Sequence, residues 1–193
     1  MIVVTSLKDH ADVCKNINPS HLISVIDPGF TPKTPTNLKN HLKLGFDDIV
    51  EIKEDNLIHR EKNLIVKSSL SVKQILPNKE HINKIINFVN SWNQSQPMVI
   101  HCWCGVSRSM ATAIFILCKI NPNRVDSNVR YMRSIAPHAN PNKLMVSMFE
   151  KHLGIEGKIN EAFKKHPNTI NYDCETNFAP ITIFSIKELI EYK

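Results

Sequence analysis

Apolar residues fall along the chain in short blocks whose spacing changes from one block to the next. MIVVTS (1–6) and HLISVID (21–27) are dense in β-branched residues and end in polar or Pro-Gly punctuation, a pattern that predicts two buried strands. LKDHADVCKNIN, between them, reads as a helix. HLKLGF (41–46) is a third strand candidate, and it delivers Asp47 and Asp48 to its C-terminal end, where α/β proteins usually place functional groups. From Pro77 the period lengthens: Ile82, Ile85, Ile86 and Val89 recur at helical spacing, with Trp92 closing the stripe and Pro77 suited to a helix start. PMVIHC (97–102) then predicts a short buried strand, and SRSMATAIFILCKI (107–120) a helix apolar on nearly all sides, which belongs at the centre of a domain.

Beyond it, helices are expected near 124–135 and 141–153, separated by the breaker APHANPN, with a third at 155–166. APITIF reads as a strand and SIKELIEYK as a terminal helix. The expected organisation is one α/β domain over 1–166, with 167–193 as an extension packed on it. DPGFTPKTPTN (27–37) reads as an ordered loop stiffened by Pro28, Pro32 and Pro35, whereas 54–75 fits a helix, a hairpin or an inserted loop equally well.

Composition narrows the class. The 193 residues are 42% hydrophobic and 22% charged, which excludes a disordered or fibrous chain. The net charge of +6 suggests anionic partners, yet the basic residues are scattered, which argues against a nucleic-acid stripe. Lys164-Lys165-His166, the densest cluster, reads as a solvated helix end. Five cysteines at irregular spacings and the lack of a signal-like opening predict a reducing, cytoplasmic setting. MATAIFILC is too short for a membrane span.

The chemistry is concentrated in HCWCGVSRS, His101 to Ser109, which joins a predicted strand to the N-terminus of the apolar helix. A helix N-terminus presents unpaired N–H groups and a positive dipole end to an anion. Gly105 lets the loop curl without a Cβ penalty, and a curled run of amides makes a nest for an oxyanion. Cys102 stands at the base of this nest, where negative charge is stabilised, and a thiolate is the nucleophile. Arg108 can fold back and grip two phosphoryl oxygens with its planar fork.

His-Cys, five residues, then Arg-Ser, with Gly three after the Cys, resembles the signature of the cysteine-dependent protein phosphatases, the dual-specificity and tyrosine phosphatase superfamily. The resemblance is nearest to small bacterial proteins of this group and takes in NKIINFVNSWNQSQPMVIHC and RSIAPHANPNKLM, roughly residues 20 to 155. It implies a dual-specificity-phosphatase-like fold, a central, mostly parallel sheet of about four strands flanked by helices. It implies that Cys102 attacks phosphorus, that Arg108 binds the phosphoryl group, that Ser109 eases departure of the thiolate and that His101 orders the loop. Trp103, Cys104, Gly105, Val106 and Ser107 complete the phosphate-binding loop, with no metal or organic cofactor.

The resemblance also implies a catalytic aspartate some thirty to forty residues before the Cys, but no aspartate lies between Asn56 and Cys102. Asp48 is favoured, because LGFDDI resembles the strand-end stretch of the bacterial relatives; Asp55 is the runner-up and Asp47 the third candidate. The expected activity is hydrolysis of phosphate monoesters, on a phosphotyrosine or dual-specificity protein substrate or a small monoester, through a phosphocysteine intermediate. The loop interior WCGVS carries no basic residue, which disfavours a polyanionic lipid headgroup. A phosphate-binding module without turnover, a sulfur transferase and an arsenate reductase are the alternatives. Cys104 reads as a space filler or an oxidation trap, Cys14, Cys118 and Cys174 as buried apolar residues, Trp92 as core, and His138 as a turn residue with a satisfied hydrogen bond.

Overall fold

The computed structural model describes residues 1–52, 74–172, 174 and 177–192; Asp55 and residues 54–73 of the unassigned segment lie outside them. The order of elements is β1 (Ile2–Thr5), α1 (His10–Ile17), β2 (His21–Ile26), β3 (Asn40–Gly45), α2 (Lys79–Asn90), β4 (Met98–His101), α3 (Arg108–Ile120), α4 (Val125–Ile135), α5 (Lys143–Leu153), α6 (Lys158–Lys165), β5 (Thr182–Phe184) and α7 (Ile186–Glu191). Strands with branched side chains alternate with helices, which is the sequence of elements that builds a layered α/β domain.

The strands form one sheet in the order β3-β2-β4-β1-β5. The first four run parallel, and β5 pairs antiparallel with β1, placing Phe184 opposite Ile2. The sheet therefore has five strands, where about four were expected. The additional strand is the one read in APITIF; its pairing with β1, at the other end of the chain, leaves no local signal that would count it in the sheet.

Both faces of the sheet are covered, as a parallel sheet requires. Val3, Leu22 and Val99 point to one side and pack with Val13 and Cys14 of α1. Ile2, Val4, Ile23, Val25, Met98 and Ile100 point to the other, against the larger helical layer. α3 lies at the heart of that layer, buried at every residue from Arg108 to Cys118. Phe115 stacks on Phe149 of α5 with ring centroids 4.4 Å apart. Trp92 is buried too, its indole N–H donating to the Gln96 carbonyl at 2.8 Å. Lys164 and Lys165 are exposed at the end of α6.

Helix starts are set by caps more than by periodicity. α2 begins two residues after Pro77, because the Asn78 side chain accepts the His81 N–H at 3.0 Å and so fixes the first turn. Asn142 does the same for α5, accepting the Met145 N–H at 3.1 Å. No helix among the described residues is long and apolar enough to cross a membrane.

Since Phe115 fills the gap between α3 and α5 with none of its side chain exposed, Phe115→Ala is expected to cost about 3–5 kcal/mol of stability. A urea titration followed by far-UV circular dichroism reads this directly, and a midpoint unchanged from wild type would show that the two helices can close the gap.

Candidate active site

Residues 102–108 form a loop between the C-terminal end of β4 and the first turn of α3, held from three directions by its own carbonyls. The Trp103 carbonyl accepts from Leu7 N–H at 3.0 Å, that of Cys104 from Ala179 N–H at 3.1 Å, and that of Val106 from Asn140 N–H at 3.0 Å. In a trans peptide the N–H of the next residue points opposite to the carbonyl, and the described chain has no cis bond. The amides of Cys104, Gly105 and Ser107 are therefore turned away from these anchors. For Gly105 the side they face is that of the nucleophile, since its N–H donates to Cys102 Sγ at 3.3 Å.

The turn depends on glycine. Gly105 has φ +83°, and a Cβ there would stand 3.3 Å from the backbone carbon and oxygen of Thr5, so any side chain meets both strain and the end of β1. Cys102 lies buried within the curl, its Sγ 3.1 Å from Ser109 Oγ on the first turn of α3. His101, the last residue of β4, points to the opposite side of the sheet.

Arg108 is 2% exposed, yet its guanidinium lines a cleft of about 900 Å³ together with Cys102, Trp103, Val106 and Ser107. Nη1 donates to the Phe46 carbonyl at 2.6 Å and pairs with Asp27 Oδ1 at 2.6 Å. Nε is buried and makes no hydrogen bond among the described residues, the Asp48 Oδ2 oxygen lying 3.8 Å away. A buried N–H donor of a charged group without an acceptor is costly. An anion resting in the loop would supply one.

Asp48 stands over this loop. Its Oδ1 accepts from Ser107 Oγ at 2.7 Å and from Asn142 Nδ2 at 2.8 Å, so the carboxylate is held from the loop below and from the cap of α5 beside it. Asp47 is occupied elsewhere: its Oδ2 accepts Ile75 N–H at 2.6 Å and its own N–H donates to the Ile75 carbonyl. The structure thus brings Cys102, Arg108, Ser107, Ser109 and Asp48 together. Asp47 also lines the cleft, at a distance fixed by its bonds to Ile75.

Asp27 and Asn142 complete the arrangement and were not singled out by sequence reasoning. Asp27 carried the same signal as Asp48, a carboxylate at the C-terminal end of a strand, but DPG reads first as a turn. Asn142 fell within the breaker APHANPN and carried no signal of its own. Two other expectations change. Cys174 is exposed and lines the cleft instead of filling a core. His138 is buried with Nε2 lacking a hydrogen-bond partner among the described residues, and its ring meets that of Tyr172 edge-on.

Beneath the loop, on the α1 side of the sheet, lies a chain of polar groups whose direction can be worked out. The Cys102 carbonyl can only accept, so His101 Nδ1, 3.3 Å away, carries the proton. His101 Nε2 then accepts from Ser24 Oγ at 2.6 Å, and the Ser24 oxygen accepts from His41 Nε2 at 2.7 Å. His41 Nδ1 is left to accept from Thr34 Oγ1 at 3.0 Å. His10 stacks on His101 with centroids 4.3 Å apart, its own Nδ1 donating to the Leu7 carbonyl. Burial, aided by the neighbouring His10, pushes the His101 pKa down to about 3, and burial with nearby Lys43 and His10 pushes that of His41 down to about 4. Both rings are neutral at neutral pH, as the directed chain requires.

No family model and no curated protein matches the chain. Solved structures do. The chain is similar to the crystal structure of DUSP15, at TM-score 0.54 and 15% identity over 87% of this chain and 94% of that one. It is similar to the PTP-2 phosphatase of Cydia pomonella, at TM-score 0.54 and 18% identity over 78% and 84%. It is also similar to PTPMT1 in complex with PI(5)P, at TM-score 0.53 and 11% identity over 86% and 94%. The chain shares its fold with these phosphatase structures.

The two depressed histidines set a pH dependence whose sign follows from proton counting. In the unfolded chain each takes up a proton near its ordinary value of about 6.5. The folded protein does not until about pH 4 for His41 and about pH 3 for His101. Below about pH 6.5 the unfolded state binds more protons, so stability falls as pH falls through this window and is constant with respect to these groups above it. Urea midpoints measured from pH 7.5 to 4.5 are expected to decline, and to decline less in His41→Asn. An equal slope in both proteins would count against a neutral His41.

Proposed function

We propose that the protein is a cysteine-dependent phosphatase that hydrolyses phosphate monoesters, with phosphotyrosyl or dual-specificity protein substrates, through a phosphocysteine intermediate. The observation that carries this reading is that Arg108, whose buried Nε makes no hydrogen bond among the described residues, lines one cleft with Cys102, whose sulfur accepts the Gly105 amide. Amides of one loop and the guanidinium at its end converge on one place, and a phosphoryl group has the charge and the planar trio of oxygens to meet them in the transition state.

In the first step the Cys102 thiolate attacks phosphorus, the ester P–O bond breaks, and Asp48 gives its proton to the departing oxygen. In the second, water attacks the phosphocysteine, the P–S bond breaks, and the Asp48 carboxylate takes the proton that water loses. Ser109 Oγ, 3.1 Å from the sulfur, donates to the thiolate as it leaves. Ser107 and Asn142 hold Asp48 over the loop while it cycles between acid and base. Asp27 keeps the guanidinium in register as its other nitrogens engage the substrate. His101 stiffens the base of the loop through its bond to the Cys102 carbonyl. Residues 167–193 act in this reading as an extension of the phosphatase-like domain of residues 1–166. Five unbridged cysteines fit a reducing, cytoplasmic setting.

The reaction itself is the test. Wild type is expected to release phosphate from aryl phosphates in the presence of chelator and reductant, and Cys102→Ser to release none. Arg108→Lys should lose about 10²–10³-fold in kcat/KM, since one ammonium cannot reproduce the fork. Asp48→Asn should lose about 10²–10⁴-fold on phenyl phosphate and much less on p-nitrophenyl phosphate, whose leaving group needs little protonation. Equal losses on both esters would remove Asp48 from the acid's role. A wild type that binds vanadate but turns over neither ester would favour a phosphate-binding module.

A further inference from the structure

The stretch that follows α6 is tied to the molecule at two places that flank the cleft. Thr169 N–H donates to the Pro137 carbonyl at 3.0 Å, next to His138, and Ala179 N–H donates to the Cys104 carbonyl at 3.1 Å, inside the catalytic loop. Of the described residues between these ties, Asn171, Tyr172 and Cys174 line the cleft. Tyr172 is half-buried and meets His138 edge-on, with ring centroids 5.3 Å apart and planes at 88°. His138 also lines the cleft; it is 3% exposed, and its Nε2 is buried without a hydrogen-bond partner among the described residues.

On the loop's own side the rim is aromatic as well. Trp103 meets Phe30 edge-on, with centroids 5.2 Å apart and planes at 84°. The cleft above Cys102 therefore has an indole in one wall and a phenol backed by an imidazole in another. A flat ring entering between such walls gains ring contacts beyond the area it buries, whereas a serine or threonine side chain offers none.

We propose that Tyr172, braced by His138, is a specificity-determining residue that makes this site prefer an aryl phosphate, a phosphotyrosyl side chain, over an alkyl one. The inference rests on the reading of the cleft as a phosphoester site, but it concerns recognition and does not require turnover. Tyr172 touches no reacting atom in this scheme; it supplies a wall against which the ester's ring lies.

The experiment uses the full chain carrying Cys102→Ser, titrated with two peptides of one sequence that bear phosphotyrosine or phosphoserine. The phosphotyrosyl peptide is expected to bind more tightly. Adding Tyr172→Ala should lower the ratio of the two affinities about fivefold, and Tyr172→Phe, which keeps the ring, should hold it within about twofold. A ratio unchanged by Tyr172→Ala, with the melting temperature also unchanged, overturns the inference, as does a ratio near one in the parent protein. If neither peptide binds, the inference and the phosphoester reading fall together. If selectivity depends on Tyr172 while the native protein hydrolyses neither peptide, the inference stands and turnover fails.

Discussion

A guanidinium taken out of water needs partners from the protein to offset the lost hydration, and the cleft end of this molecule is organised around that requirement. Arg108 is a residue of the central helix α3 and is almost wholly buried. Its partners come from the ends of two other elements, Asp27 after β2 and the Phe46 carbonyl after β3. The three must meet, so the C-terminal ends of β2 and β3 converge on the N-terminus of α3. That convergence carries Asp48, two residues past Phe46, to the lip of the loop that holds Cys102. Removing one partner would strand a buried charge, so the ion pair and the position of Asp48 stand or fall together.

What the sequence made legible follows from where the deciding forces act. β1, β2 and β4 could be read because burial on both faces selects uninterrupted branched side chains, and α3 because a helix surrounded by protein has no polar face to mislead. HCWCGVSRS could be read because a tight anion nest needs glycine at one place and an arginine at a fixed distance from the thiol. The start of α2 was displaced by two residues because Asn78, a single hydrogen bond, outweighs the proline beside it. Asp27, Asn142 and Tyr172 were illegible for another reason. Each acts on a partner far along the chain, Arg108, Asp48 and the cleft respectively, and nothing in its immediate neighbours distinguishes it from a turn, a cap or a solvated aromatic.

The polar chain under the loop shows how strand pairing serves chemistry at a distance. Ser24 and His101 face one another across β2 and β4 in register. That pairing sets the hydroxyl where it must donate to one imidazole and accept from another, and it does so on the side of the sheet away from the cleft. The substrate side and the bracing side of the loop are thus separated by a single strand. Strain placed on the loop by a bound anion is met by neutral, directed hydrogen bonds and not by a second buried charge.

The short strand β5 has a consequence for how copies of this protein meet one another. Without it β1, a fully buried and wholly apolar strand apart from Thr5, would be the border of a parallel sheet, with a row of free backbone groups open to any passing extended chain. β5 covers that row, yet is itself three residues long, follows Pro180 closely, and passes at once into α7, which Ser185 caps. A border so brief offers a visiting strand almost no ladder to extend, even though Ile181 and Ile183 beside it are half exposed. At this border the sheet ends in a stub, and edge-to-edge stacking through β5 is starved of its template.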